Sequence, residues 1–453
     1  PARPPGRPHR RRALMRRLPL LLTTLALCGG LAAFGALDRT GPAAPGPALS
    51  STDTAGPPDG RSALDSSLTH AISADQQRLR QLPTDAAAWA RLGAEYVEQA
   101  RLTADPSYYP KADEALHRSL DLAPQANADA LTGLGALANA RHLFDQAREF
   151  AEQAVTASPA HWPAYAVLAD ARTQLGDDTG ATEAVQQLLD RRPGTASFTR
   201  AAYDLEQHGR TDEARAALRQ ALDGAYDPAD KAFCQYQLAE LDRNSGHAED
   251  ALAGYRQALR TDPDHTPALA GQARAEAALG RNDDALRDYT SAVARVPLPQ
   301  YLLELGELHE ALGHPEQARE QYRLLAAEQQ LAAANGVVDD LTLGQFQADH
   351  GDPAEAVRLL RAEWARRQNV LVADALSWAL HRTGADPEAL TLARQAQAHG
   401  WHNALFLYHL GTIELALGRN DDARTHLTEA LTTDPAFHPL QAPLARTALT
   451  ALR

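Results

Sequence analysis

Between residues 238 and 297 the chain repeats itself every 34 positions. Gly246 is followed by Gly280, Ala251 by Ala285, Tyr255 by Tyr289, Ala258 by Ala292 and Pro263 by Pro297. A fixed period of this length, punctuated by glycine and proline, marks stacked helical hairpins, each too small to bury its apolar stripe alone. The pattern extends in both directions. The eighth position of each unit is small: Gly93, Gly135, Ala169, Ala202, Ala239, Ala273, Gly306, Gly344, Ser377 and Gly411. The facing position on the second helix is Ala112, Ala147, Ala181, Ala214, Ala251, Ala285, Ala318, Ala356, Ala389 and Ala423. Helices that cross closely need small side chains on both sides of the crossing. Between the two columns a stop glycine recurs as Gly176, Gly209, Gly246, Gly280, Gly313, Gly351, Gly384 and Gly418, suited to the left-handed backbone that ends a helix. Asp352-Pro353 and Asp386-Pro387 then offer a cap acceptor followed by proline in the first turn.

These columns resemble the tetratricopeptide repeat (TPR) family at its diagnostic positions, over most of the chain. The resemblance implies an all-α fold: a right-handed superhelical α-solenoid of about ten TPR helix–turn–helix repeats, with an N-terminal hydrophobic leader and a C-terminal capping helix. The repeats span residues 85–439. A lead-in helix occupies 64–84, with Leu64, Leu68, Ile72, Leu79 and Leu82 on one side, and a capping helix occupies 440–453. Two units depart from the pattern in length, and the fourth, eighth and ninth are the most divergent in sequence. Seven extra residues within RLTADPSYYPKADEA predict a loop between the helices of the first repeat. The second helix of the repeat at 298–330 runs on through QYRLLAAEQQLAAANGV. The SYYPKA, AANGV, ADHGDP and FHPLQAP stretches are similar to those of bacterial exported multi-TPR proteins, a likeness that brings no activity with it.

The N-terminal region has a different composition. Residues 1–17 hold seven arginines and no acid, and residues 18–37 are the apolar run LPLLLTTLALCGGLAAFGAL. A basic region before an apolar run is an export signal or a membrane anchor. Twenty residues can just span a bilayer. Ala33-Phe34-Gly35 offers a cleavage site, and Leu25-Ala26-Leu27-Cys28 a lipoprotein box that departs from the motif at Leu27. Translation from Met15, the only methionine, would shorten the basic part to MRR. Residues 38–63 hold 15 Pro, Gly, Ser or Thr among 26, too polar and broken for a core. As a flexible tether they would reach roughly 28 Å. The expected location is the cell membrane, single-pass with the repeats outside the cytoplasm, or secretion after cleavage.

The net charge of -14, with seven arginines and no acid in residues 1–17, leaves an acidic body. That argues against nucleic acid and confines membrane contact to the N-terminal segment. No phosphate loop, nucleophile elbow or paired metal motif stands outside the repeats, so neither a catalytic residue nor a cofactor is expected. The resemblance implies a protein or peptide in the concave groove lined by the first helices. Its groove positions fall on Thr199, Tyr203, Glu206, Phe233, Tyr236, Glu240, Arg243 and Arg274, an aromatic and arginine mixture typical of interface hot spots. The strip Glu304, Glu307 and Glu310 could meet a basic partner or simply face water. The lysine and asparagine clamp that some TPR proteins use on acidic C-termini is absent. Tyr108 and Tyr109, in the inserted stretch, form a second candidate surface. His399 and His402 would share one metal only if helical, and no further motif supports them. The expected function is therefore a non-enzymatic scaffold outside the cytoplasm, assembling an envelope complex. The alternative is a ligand- or metal-handling accessory to a membrane enzyme or transporter.

Overall fold

The computed structural model describes residues 63–452 apart from His399. The leader, and the linker up to residue 62, lie outside the described residues. The rest is an α-solenoid. A lead-in helix α1 (Ala63–Gln81) is followed by α2 (Ala86–Thr103) with α3 (Tyr108–Leu122), α4 (Ala128–Ala140) with α5 (Phe144–Ala157), and α6 (Trp162–Leu175) with α7 (Asp178–Arg191). Next come α8 (Thr195–Gln207) with α9 (Thr211–Gly224), α10 (Pro228–Asn244) with α11 (Ala248–Thr261), and α12 (Thr266–Ala278) with α13 (Asn282–Arg295). The last four pairs are α14 (Pro299–Ala311) with α15 (Pro315–Ala334), α16 (Asp340–His350) with α17 (Pro353–Arg366), α18 (Val370–Arg382) with α19 (Asp386–Ala396), and α20 (Ala404–Ala416) with α21 (Asn420–Thr433). α22 (Gln441–Ala451) closes the array. Ten helical pairs therefore lie between a lead-in and a cap. No helix among the described residues is long and apolar enough to cross a membrane.

The two small-residue columns meet where the helices of each pair cross. Every alanine of the second column is buried. On the first helix a Cβ at Gly93 would lie 2.4 Å from Leu116 Cγ, at Gly306 2.3 Å from the Tyr322 ring, and at Gly344 2.5 Å from Leu360 Cγ. A β-carbon has no room at these crossings, so glycine there sets the distance between the helices. First helices of neighbouring repeats touch along most of the array, whereas second helices scarcely meet. The stack therefore curves with its first helices on the inside.

Several local expectations are corrected. Seven of the eight stop glycines have positive φ, but Gly351 (φ -133) is extended. Asp352 caps α17 by accepting from the Ala354 amide. Asp386 instead lies inside α19, after the cap residue Ala385, and pairs with His381 at 2.6 Å. Leu82 falls just beyond α1 and is exposed. The inserted residues of the first repeat do not form a long loop. They lengthen α2 to 18 residues, against 13 in α4, because the polar stretch to Thr103 contains no helix breaker.

The curve returns on itself. The Asn369 side-chain amide donates to the Gln174 carbonyl at 2.8 Å across 195 residues, and the Val338 amide donates to the Arg141 carbonyl at 3.1 Å. Turns within the early repeats thus meet connections between the late ones.

Candidate binding face

The inner face of α10, α12 and α14 carries one connected polar network. Its centre is Glu240, which is buried. Its carboxylate accepts from the Tyr255 hydroxyl at 2.5 Å, from Arg243 at 2.9 Å and from Arg274 at 3.2 Å. Arg274 also donates to Glu304 at 2.9 Å, and Gln300 donates to the same carboxylate at 2.9 Å. Burial raises the Glu240 carboxyl, but the charges of Arg243 and Arg274 outweigh it and leave it below its ordinary value. Arg274 therefore ties three successive repeats together, with the planar, multiply bonded geometry that guanidinium favours. One repeat earlier, Asn244 donates to Glu206 at 2.6 Å, yet desolvation still pushes Glu206 up to about 7. Asp204, buried on the same helix, is likewise pushed to about 7 by desolvation.

A second network lies further along the face. The two oxygens of Glu307 meet different imidazoles, His350 at 3.0 Å and His438 at 3.1 Å. Burial opposes ionisation, but the two imidazoles pull the Glu307 carboxyl down to about 2. Burial likewise lowers both histidines, while Glu307 raises them more, so each ends above its ordinary value. Glu310 accepts from the Tyr322 hydroxyl at 3.0 Å. Asp349 accepts from the Trp378 indole at 2.8 Å and from Gln441 at 3.2 Å. His438 and Gln441 come from the connection between α21 and α22 and the start of α22. That connection lies against the inner face of repeats much earlier in the chain.

Residues 236–297, 270–333 and 387–438 match the tetratricopeptide repeat family. These are tetratricopeptide repeats. The matched stretches include the whole Glu240–Arg274–Glu304 network and His438. Among curated proteins, cellulose synthase 1 operon protein C of Komagataeibacter xylinus is 26% identical over 319 residues, covering 68% of this chain and 21% of that protein. The chain thus spans about a fifth of that relative. A solved TPR protein from Parabacteroides merdae is 16% identical, with a TM-score of 0.34, covering 57% of this chain and 98% of its own. Human IFIT1, solved as a dimer with PPP-AAAA, is 15% identical, with a TM-score of 0.44, covering 81% and 87%.

The TPR geometry sorts the residues singled out in the sequence. Glu206, Glu240, Arg243 and Arg274 come together on the inner face. Tyr236 is buried, 6.0 Å from the Tyr255 ring of its own repeat and 5.4 Å from the His265 ring at the start of the next, and Phe233 packs beside it. Thr199 is buried, its hydroxyl spent on the Thr195 carbonyl of its own helix. Tyr203 is half-buried and lines a cavity of about 30 Å³ with Gln207, Gln368 and Asn369, where the curve closes. The acidic strip is answered internally: Glu304 by Arg274, Glu307 by two histidines, and Glu310 by Tyr322.

Tyr108 and Tyr109 are not in a loop. They start α3, Tyr108 packing 5.9 Å from the Tyr96 ring with Lys111 over its face, and Tyr109 lying near Arg141. Adjacent tyrosines pack in different directions because Tyr96 and Arg141 lie on different elements. The extended α2 also brings Arg101 within electrostatic reach of His265, the cap residue of α12. Burial and the Arg101 charge push that imidazole down to about 4.

His399 lies outside the described residues. His402 lies between α19 and α20, exposed, and pairs with Glu429 at 3.0 Å. His402 itself lies beyond α19, which ends at Ala396. His409 points elsewhere, to Asp374 at 2.9 Å and onto the Trp378 ring. No group of three potential metal ligands occurs among the described residues. Sequence reasoning missed His350, His438, Asp349 and Tyr255. Their roles depend on pairings between repeats, and only the FHPLQAP stretch, unusual for a repeat end, pointed toward His438.

Proposed function

We propose that this TPR chain is a non-enzymatic scaffold that holds a protein or extended peptide on its inner face and acts outside the cytoplasm, in the assembly of an envelope complex. The observation that carries the reading is Arg274. It is fixed by carboxylates from two neighbouring repeats, while it and Arg243 stay partly open to solvent. Side chains held in one conformation lose little entropy on binding, and arginine beside buried tyrosines is the composition of an interface anchor. The basic and then apolar residues 1–37 support export or anchoring by the positive-inside logic. The relative named for a cellulose synthase operon is compatible with work at the envelope.

The binding test is cross-linking of the full chain in whole envelopes, with Arg243→Gln as control. A specific partner lost in the variant supports the reading. Equal capture by both proteins removes this face from consideration. An alkaline phosphatase fused after Arg453 tests location: activity is expected, and an inactive, full-length fusion would retire the export reading.

A further inference from the structure

Every second helix of the array packs on the first helix of the following repeat, with one exception. α15 scarcely touches α16. It also exposes Leu324 and Leu331, each 46% accessible. The apolar core divides at the same point. One cluster draws all its members from residues 341–452, and the remaining clusters draw theirs from residues 72–312. The side-chain links across the junction are aromatic and ionic: Tyr322 against Phe346 and His350, and His350 against Glu307.

What holds the last three repeats to the earlier ones is a polar seam. Arg141 accepts at its carbonyl from Val338. Gln174 receives the Asn369 amide at its carbonyl and Arg367 at its side chain, and Arg367 also covers the Phe144 ring at 4.7 Å. Two closer approaches follow. A Cβ at Gly209 would lie 2.7 Å from the Gly400 carbonyl oxygen, and one at Gly246 2.2 Å from that of Thr433. Beyond the seam, Asp434 lies within electrostatic reach of Arg243, and His438 seats on Glu307. A body whose core is separate from the clusters of the preceding repeats, joined to them by polar and aromatic contacts and not by shared aliphatic packing, is the structural condition for hinge closure.

We infer that repeats 8–10 form a separately packed arm that swings about residues 335–339, and that its closed position, with residues 433–441 over the inner face, gates access to Arg243, Glu307 and Asp349. The arm stands on the packing alone. The gating rests on the binding reading above. In the open form the face presents two carboxylates and an arginine, which suits an extended segment of mixed charge.

The test uses four glycines with nearly the same backbone. Gly209 (φ +71) and Gly246 (φ +75) face the seam, whereas Gly280 (φ +73) and Gly313 (φ +76) have nothing within 4 Å. The double variant Gly280→Ala/Gly313→Ala carries the same backbone strain as Gly209→Ala/Gly246→Ala without the clash. Small-angle scattering of the full chain should show a larger radius of gyration for the seam variant only, with far-UV dichroism equal to the control. Hydrogen exchange at Val338 and Gln368 should speed up in the same protein. Asn369→Ala, which alters no glycine, should shift the same exchange rates in the same direction. Unchanged dimensions and protection in the seam variants would overturn the arm. So would loss of helix in the seam double variant alone, because the arm would then depend on the seam to fold. If the arm opens but partner capture is unchanged, the gating is wrong and the hinge stands.

Discussion

Two buried carboxylates two repeats apart, on the first helices α10 and α14, meet opposite solutions to the same problem. Glu240 is answered by two arginines and a tyrosine from its own and adjacent repeats. Glu307 is answered by two histidines, one of them from the far end of the chain. Burying a carboxylate costs several kcal/mol unless it is paired and hydrogen-bonded, and both are. Arginine keeps its charge at any physiological pH, whereas histidine does not. The first network is therefore a constant of the fold and the second depends on pH. The pH-dependent one lies where the late repeats fold back on the early ones.

The largest effect is expected from removing the centre of the first network. Glu240→Ala leaves Arg243 and the buried Tyr255 without their acceptor and takes one of the two carboxylates from Arg274, and should cost about 3–5 kcal/mol in urea unfolding. The loss should be the same at pH 6 and pH 8. A loss that varied strongly across that range would break the contrast. Next, Tyr255→Phe removes one donor to Glu240 inside a fully buried site and should cost about 1–3 kcal/mol. A neutral result would show that the arginines alone satisfy the carboxylate.

The pH response sharpens the other side. His350 and His438 have raised folded values, so their contribution is complete below about 6.5, the unfolded value, and is lost as pH rises through the folded values. Glu307, held at about 2, contributes fully above its unfolded value, about 4.3, and loses that contribution as pH falls toward 2. Glu206 and Asp204, raised to about 7, add a penalty that grows as pH rises from about 4 to 7. The two histidines, Glu206 and Asp204 all act to lower the wild-type melting temperature between pH 6 and pH 8, a range over which the Glu307 contribution is constant. His438→Ala should flatten that decline by the equivalent of about 1 kcal/mol, and Glu206→Gln should flatten it independently. An undiminished slope in both variants would place the pH dependence elsewhere. The smallest effect belongs to an exposed pair such as Arg361–Glu388, 2.8 Å apart. A double-mutant cycle there should give less than about 1 kcal/mol, which sets the baseline for the buried networks.

Much of this was legible in the chain. Ten repeats, their crossing points and the long α15 follow from the 34-residue period and the two small-residue columns, because those patterns record contacts between residues near in sequence. Four of the inner-face positions, Glu206, Glu240, Arg243 and Arg274, were found from repeat register for the same reason. The expected loop at Tyr108 and Tyr109 failed because helix α2 could continue through a polar stretch without a breaker. His402 lies in the connection between α19 and α20, and His399 lies outside the described residues.

By itself the sequence determined the local unit: helix, stop, helix, with alanine facing glycine, alanine or serine where the two helices of a pair cross. That unit is set by sterics within a few tens of residues. Tertiary structure alone decided that the array curves far enough for Asn369 to reach Gln174, that stacking stops between α15 and α16, and that His438 lies against Glu307. Small rotations between successive repeats accumulate along a solenoid, and no single repeat carries their sum. The charge of a buried carboxylate is likewise fixed by whichever side chains that accumulated curve brings to it.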